Sequence, residues 1–181
     1  MTQPTNKSYY PEHDIASLLE IYSSGPVRFR NSIKGLSESE MKARPVEGKW
    51  SIREIAFHLV DSETVAAVRI RQAITQSDRN LAFYDQDVWT RDLNYQDMSD
   101  EQLAAQLDLF EHLRRSMTLF FRRIEDDAWQ RTGLHRRRGE MSVRDMLGLY
   151  TGHCEKHIQQ IIERRRLLGN AFDMKPLLEI Y

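Results

Sequence analysis

The sequence predicts an all-α protein, a four-helix bundle with long connecting loops, on three observations. Apolar residues recur mostly at spacings of three and four along four long segments, the period of a helix that buries one face. Only 8 Gly and 5 Pro occur, and no low-complexity linker breaks the pattern. Two of the segments begin with similar tetrapeptides, Ser51-Ile-Arg-Glu54 and Ser142-Val-Arg-Asp145, in which a hydroxyl precedes a side chain able to close a capping box.

The first helix is expected from Asp14 to Lys34, carrying Ile15, Leu18, Leu19, Tyr22, Phe29 and Ile33 inward, with a kink or break at Gly25-Pro26. A linker follows through Ser37 and Pro45. The second helix starts at Ser51 and runs to Thr75. From Gln76 to Met98 the chain is polar and aromatic without a sustained period, so it reads as a long loop with room for one helical turn. Ser99 caps a third helix to Ile124, whose stripe is Leu103, Leu107, Phe110, Leu113, Met117, Phe120 and Phe121. Asp126 to Met141 is a second long connection, holding His135 and Arg136-Arg137-Arg138. The last helix runs from Ser142 to Leu168, and the residues after Gly169 form a tail.

Length fits one domain, residues 1–181. With 26 basic against 27 acidic side chains the net charge is −1, which supplies no global field for nucleic acid or an anionic membrane. The N-terminus lacks the apolar core of a signal peptide and no segment approaches a membrane span, so a cytoplasmic location is expected. A single cysteine, Cys154, excludes an intramolecular disulfide and a cysteine-built zinc site.

His153 and His157 stand four residues apart, about 40° apart on a helix and one turn above each other, so one ion can reach both rings. Met146, Tyr150, Cys154 and Ile161 share that side, whereas Glu155, Gln159 and Arg166 mark the opposite, wet one. Two inward histidines also occur as ordinary core residues bonded to carbonyls or carboxylates, and the spacing alone does not choose. His58 adds a third candidate. Its face of the second helix carries Glu54, Ser62, Arg69 and, to one side, Asp61, while Arg53, Thr64 and Arg71 mark the solvent side. Three imidazoles with an open fourth position suit a catalytic divalent metal, commonly zinc, with nickel, iron or manganese as alternatives.

The chain also resembles the DinB/YfiT-like family of metal-dependent enzymes, which includes bacterial low-molecular-weight-thiol S-transferases. The resemblance is carried by Lys49 to Glu54 leading to His58-Leu-Val-Asp-Ser-Glu63, then Phe83 to Asp87, then His135 to Gly139, and finally Gly152-His-Cys-Glu-Lys-His157. It implies a four-helix bundle, frequently a homodimer, with His58, His153 and His157 as metal ligands.

An open site of this kind either lowers the pKa of a bound water, giving a hydrolase, or holds a thiol as thiolate, giving a thiol transferase. The resemblance places thiol transfer ahead of hydrolysis; a non-catalytic metal- or ligand-binding stress-response protein is the third reading. Asp61, three residues beyond His58, is the candidate base or orienting group. Tyr150 and Gln160 share the ligand face, and Tyr84 and His135 lie in the connections that roof the pocket; these four are candidates to bind a small-molecule substrate, a low-molecular-weight thiol among them. Cys154 lies about 80° off the histidine direction and reads as a buried structural thiol. Trp50 reads as a staple at the helix start. His13 and His112 read as surface residues. The basic run from His135 to Arg138, with Arg144, is either a solvated face or an attractor for an anionic thiol or other carboxylate.

Overall fold

The computed structural model describes residues 9–179. The stretch of residues 1–8, part of the segment read as free of a signal peptide, lies outside that range. In order the elements are α1 (Ile15–Ile33), α2 (Glu38–Lys42), α3 (Ile52–Thr75), α4 (Gln86–Asp92), α5 (Asp100–Phe121), β1 (Thr132–His135), β2 (Gly139–Ser142) and α6 (Val143–Leu167), with 3-10 turns at Tyr95–Asp97 and Asp126–Gln130. No helix among the described residues is long and apolar enough to cross a membrane.

The long helices α1, α3, α5 and α6 form the bundle. The lateral contacts join α1 to α6, α6 to α3, α3 to α5 and α5 to α1, leaving α1/α3 and α5/α6 as the diagonal pairs. Helices that follow each other in sequence therefore sit across the diagonal twice, which is why the connections at 34–51 and 122–142 are longer than an up-and-down bundle requires. The helix starts are chemically closed. Capping boxes form at Ser51 with Glu54, Ser99 with Gln102, and Ser142 with Asp145, and Asp14 accepts from the Ser17 amide at 2.7 Å.

Of the kink or break expected at Gly25-Pro26, the break does not occur: α1 runs through both residues. Proline lacks an N–H, which frees the carbonyl of Tyr22 one turn earlier. That carbonyl accepts from Arg114 Nη1 at 3.0 Å. Gly25 makes the approach possible, because a Cβ there would lie 2.4 Å from the same Nη1. Arg114 also donates to Glu63 through Nε at 3.0 Å and Nη2 at 2.9 Å, and Tyr22 donates its hydroxyl to the other Glu63 oxygen. Nη2 reaches the Tyr150 carbonyl as well, at 2.8 Å. One buried ion pair thus ties all four bundle helices.

This polar layer divides the core. On one side lie Leu18, Tyr22, Ile70, Met117, Phe121, Trp129, Met146 and Tyr150. On the other lie Phe29, Ile55, Leu59, Tyr95, Phe110, Cys154, Ile158 and Ile161.

Three further expectations are corrected. The connection at 126–141 contains the antiparallel hairpin β1–β2, pairing Thr132 with Ser142 and His135 with Gly139. The loop at 76–98 docks on it, since Leu81 N donates to the Leu134 carbonyl at 3.1 Å and Leu134 N to the Arg79 carbonyl at 2.7 Å. Arg53, expected on the wet face, is fully buried and its guanidinium clasps the Met98 carbonyl and Asp100. Glu155, also expected to be wet, is buried by the returning tail: it accepts from Arg28 at 2.7 and 2.8 Å and from the Leu177 amide at 3.0 Å.

Candidate metal centre

Because α3 and α6 are lateral neighbours, the histidines of the two helices meet. His58 Nε2 lies 3.2 Å from His153 Nε2, and His157 Nε2 lies 3.1 Å from the same atom. The three donor atoms all fall within 4.8 Å of one another. Two ligands of a tetrahedral ion with bonds of about 2.0–2.1 Å are separated by roughly 3.3–3.4 Å, so the cluster is close to the spacing that one ion requires. The donor chemistry agrees. Burial, reinforced by the neighbouring imidazoles, holds His58 and His153 well below the usual imidazole range. Burial brings His157 down to about 4. At neutral pH all three rings are therefore uncharged and offer lone pairs. His58 and His157 are buried, whereas His153 is the partly exposed member.

The rings are held in place by their surroundings. Gln160 Oε1 lies 2.9 Å from His157 Nδ1; a hydrogen on that nitrogen leaves Nε2 free for an ion. Gln160 thus sits on the ligand imidazole. The indole of Trp50 packs 4.7 Å from the His58 ring and stacks on His157 at 6.4 Å, so it walls the centre as well as the helix start. Tyr84 stacks on His58 at 6.5 Å and lies tilted against Trp89 at 4.8 Å.

A cavity of about 330 Å³ opens beside His153. It is lined from α3 by Ser62 and Arg69, from α6 by Leu149 and Tyr150, from the first long connection by Phe83, Tyr84 and Gln86, and from the hairpin by His135, Arg137 and Arg138. Tyr150, Tyr84 and His135 therefore come together here. The Tyr84 hydroxyl is pushed up to about 12, chiefly by burial and against a hydrogen bond with Ser62. His135 is brought down to about 4 by burial and by Arg69, Arg138 and Arg137. No carboxylate is among the described residues lining the cavity.

Asp61 lies near Tyr84 but is not among the lining residues. Its carboxylate accepts the Tyr95 hydroxyl; burial raises its pKa to about 6. Cys154 is buried, and its thiol is pushed up to about 11 by that burial. His112 is exposed and His13 half-buried against Tyr10. Sequence reasoning did not single out Arg69 as a site residue, although the polar seam on the His58 face already contained it. The wall formed by Trp50 had no local signal, because it depends on the meeting of α3 and α6.

The family model of the DinB superfamily matches residues 22–161, and the chain belongs to that superfamily. Among relatives, YfiT of Bacillus subtilis is 23% identical over 152 residues, 83% of this chain and 84% of YfiT. OB0782 of Oceanobacillus iheyensis, named in the same provisional terms as YfiT, is 25% identical over 136 residues, 75% of this chain and 77% of its own. The solved structure of YfiT, described as a probable metal-dependent hydrolase with an unusual four-helix bundle topology, superposes with a TM-score of 0.80 over 91% of this chain and 95% of YfiT, at 22% identity. The mycothiol-dependent maleylpyruvate isomerase shares the fold at a TM-score of 0.67 and 13% identity, over 86% of this chain and 63% of the isomerase.

Proposed function

We propose that the protein is a metal-dependent thiol S-transferase in which His58, His153 and His157 hold a divalent ion, zinc first among the candidates. When bound, such an ion stabilises a thiolate at neutral pH. The reaction joins that sulfur to an electrophilic carbon: a C–S bond forms, the bond from carbon to the leaving group breaks, and the leaving group departs with the electron pair.

The observation that carries this reading is the combination of a partly exposed His153 with an adjoining cavity that has cationic and hydroxyl groups but no carboxylate. Hydrolysis through a bound water is helped by a base beside the open side, which also serves to protonate the leaving group. Asp61 is turned to Tyr95 instead. Thiolate transfer needs no such base, because the thiol proton passes to solvent as the thiolate forms. The chain's own contributions are positional: Gln160 fixes His157, Trp50 and Tyr84 wall the imidazoles, and Tyr84 and Tyr150 present hydroxyls to the substrate. The fold shared with a mycothiol-dependent enzyme supports the reading.

The provisional description of YfiT favours hydrolysis as the second reading. Zinc-loaded protein incubated with 1-chloro-2,4-dinitrobenzene and a panel of thiols, cysteine, glutathione and mycothiol among them, separates the two. Thiol-dependent adduct formation that disappears in His153→Ala is expected. Ester or amide cleavage independent of added thiol would overturn the transferase reading.

A further inference from the structure

We infer that the cavity beside His153 contains a carboxylate-binding subsite, built on Arg69 and completed by Arg138, that fixes the anionic end of a small substrate. The inference rests on the transferase reading only for the identity of the reacting atom.

Arg69 is 5% exposed. Its Nε donates to the Ala82 carbonyl at 2.7 Å and its Nη1 to the Tyr150 hydroxyl at 2.7 Å, so both partners are neutral. The other buried arginines of α3 and α5 are treated differently: Arg53 meets Asp100, and Arg114 meets Glu63. Arg164 and Arg165, buried near the end of α6, donate to backbone carbonyls, Arg165 to those of Ser32, Lys34 and Asn170. Arg69 has no carboxylate within ion-pair distance among the described residues, and it lines the cavity. A desolvated cation held in one geometry without a counter-charge is costly, and a ligand that brings the charge removes that cost.

The rest of the lining has the same sign. Arg138 has the neutral Tyr9 hydroxyl as its partner at 2.5 Å, while Arg137 is paired with Asp85 at 3.0 Å on the rim. Glu63, the nearest buried acid on α3, is committed to Arg114 and Tyr22. His135 also faces this lining, its imidazole brought down chiefly by burial and then by Arg69, Arg138 and Arg137. Tyr150, which Arg69 anchors, precedes His153 by three residues, about 4.5 Å of helix rise, and Arg69 and His153 line the same cavity, so one small molecule can reach both.

The carboxylate belongs either to the thiol or to the electrophile, and two comparisons on zinc-loaded full-length protein separate these. Isothermal titration with 3-mercaptopropionate and 2-mercaptoethanol tests the first without requiring turnover. Initial rates with iodoacetate and iodoacetamide, using 2-mercaptoethanol as the thiol, test the second. A preference of about tenfold for the carboxylate-bearing partner is expected in one comparison, declining as ionic strength rises. Arg69→Met should reduce it to about twofold or less with metal content unchanged, and Arg69→Lys should keep part of it. If Arg69→Met fails to fold by circular dichroism, Arg138→Gln on the exposed rim serves instead, and about a threefold loss of preference is expected.

Absence of any preference in both comparisons, or a preference untouched by these variants, would overturn the inference. Carboxylate-selective binding without thiol-dependent turnover would refute the transferase reading alone, whereas thiol-dependent turnover with no carboxylate preference in either comparison would refute the subsite alone.

Discussion

Replacing Gln160 by Leu removes the acceptor that lies 2.9 Å from His157 Nδ1 and leaves the imidazole otherwise in place. His157 is buried, so water does not readily take over that bond. Without it the ring loses its fixed tautomer and some of its basicity, and loss of such a partner typically lowers metal affinity about 10–100-fold. One ligand in three is affected and it is desolvated, so a loss of about 30-fold is expected, or about 2 kcal/mol. Gln160→Glu retains an acceptor at the same position and should leave the affinity within about threefold of the parent, or tighten it. Competition against a colorimetric zinc chelator at fixed pH measures both variants. The reasoning fails if Gln160→Leu binds zinc as the parent does, or if Gln160→Leu and Gln160→Glu weaken it equally, since the second outcome would point to packing.

Arg114→Met strips Glu63 of its counter-ion and the Tyr22 carbonyl of its donor, and should destabilise the fold by about 3–5 kcal/mol in urea titrations. Adding Glu63→Gln should recover part of that loss, and strict additivity would argue against a coupled pair. For the metal-free protein, His157 and His135 have folded pKa values of about 4 against the usual 6.5. The unfolded chain therefore takes up protons first on acidification, and these groups' contribution is complete above about 6.5 and lost as the pH falls toward 4. Asp61, raised to about 6, acts in the opposite direction but is one group against the histidines. Urea midpoints measured from pH 8 to pH 4.5 should fall across that window, and a flat profile would contradict the burial of the histidines. Gly152→Ala places a Cβ 2.2 Å from the Tyr10 hydroxyl, and displacing that buried ring should cost about 1–3 kcal/mol in thermal melts.

The four long helices and the pairing of His153 with His157 were legible because both follow from local periodicity, whereas the meeting of His58 with that pair was implied by the family resemblance. Apolar spacing fixes which face of each helix turns inward, and His153 and His157 share a face by arithmetic alone. The stripe read for α5 matches the buried Leu103, Phe110, Met117 and Phe121, with Leu107, Leu113 and Phe120 partly covered. What escaped depended on chain segments distant in sequence. Arg53 and Glu155 lie on faces that a helical wheel leaves wet, yet residues 98–100 cover the first and the tail around Leu177 covers the second. The break expected at Gly25-Pro26 does not occur, and the carbonyl that Pro26 frees is taken up by Arg114, 88 positions later in the chain. The hairpin gives too few residues for a strand pattern to emerge, and its second face is supplied by Leu81, which packs where Gly133 has no side chain. The charge of the cavity was half visible: the arginine run was plain in the sequence, whereas its meeting with Arg69 required the fold.

Metal content measured by inductively coupled plasma mass spectrometry, on protein purified without chelators, bears most directly on the three-histidine centre. About one divalent ion per chain is expected in the parent, with near-complete loss in His58→Ala although that residue lies on a different helix from the other two. Substoichiometric metal in the parent, or an unchanged content in His58→Ala, would contradict the account.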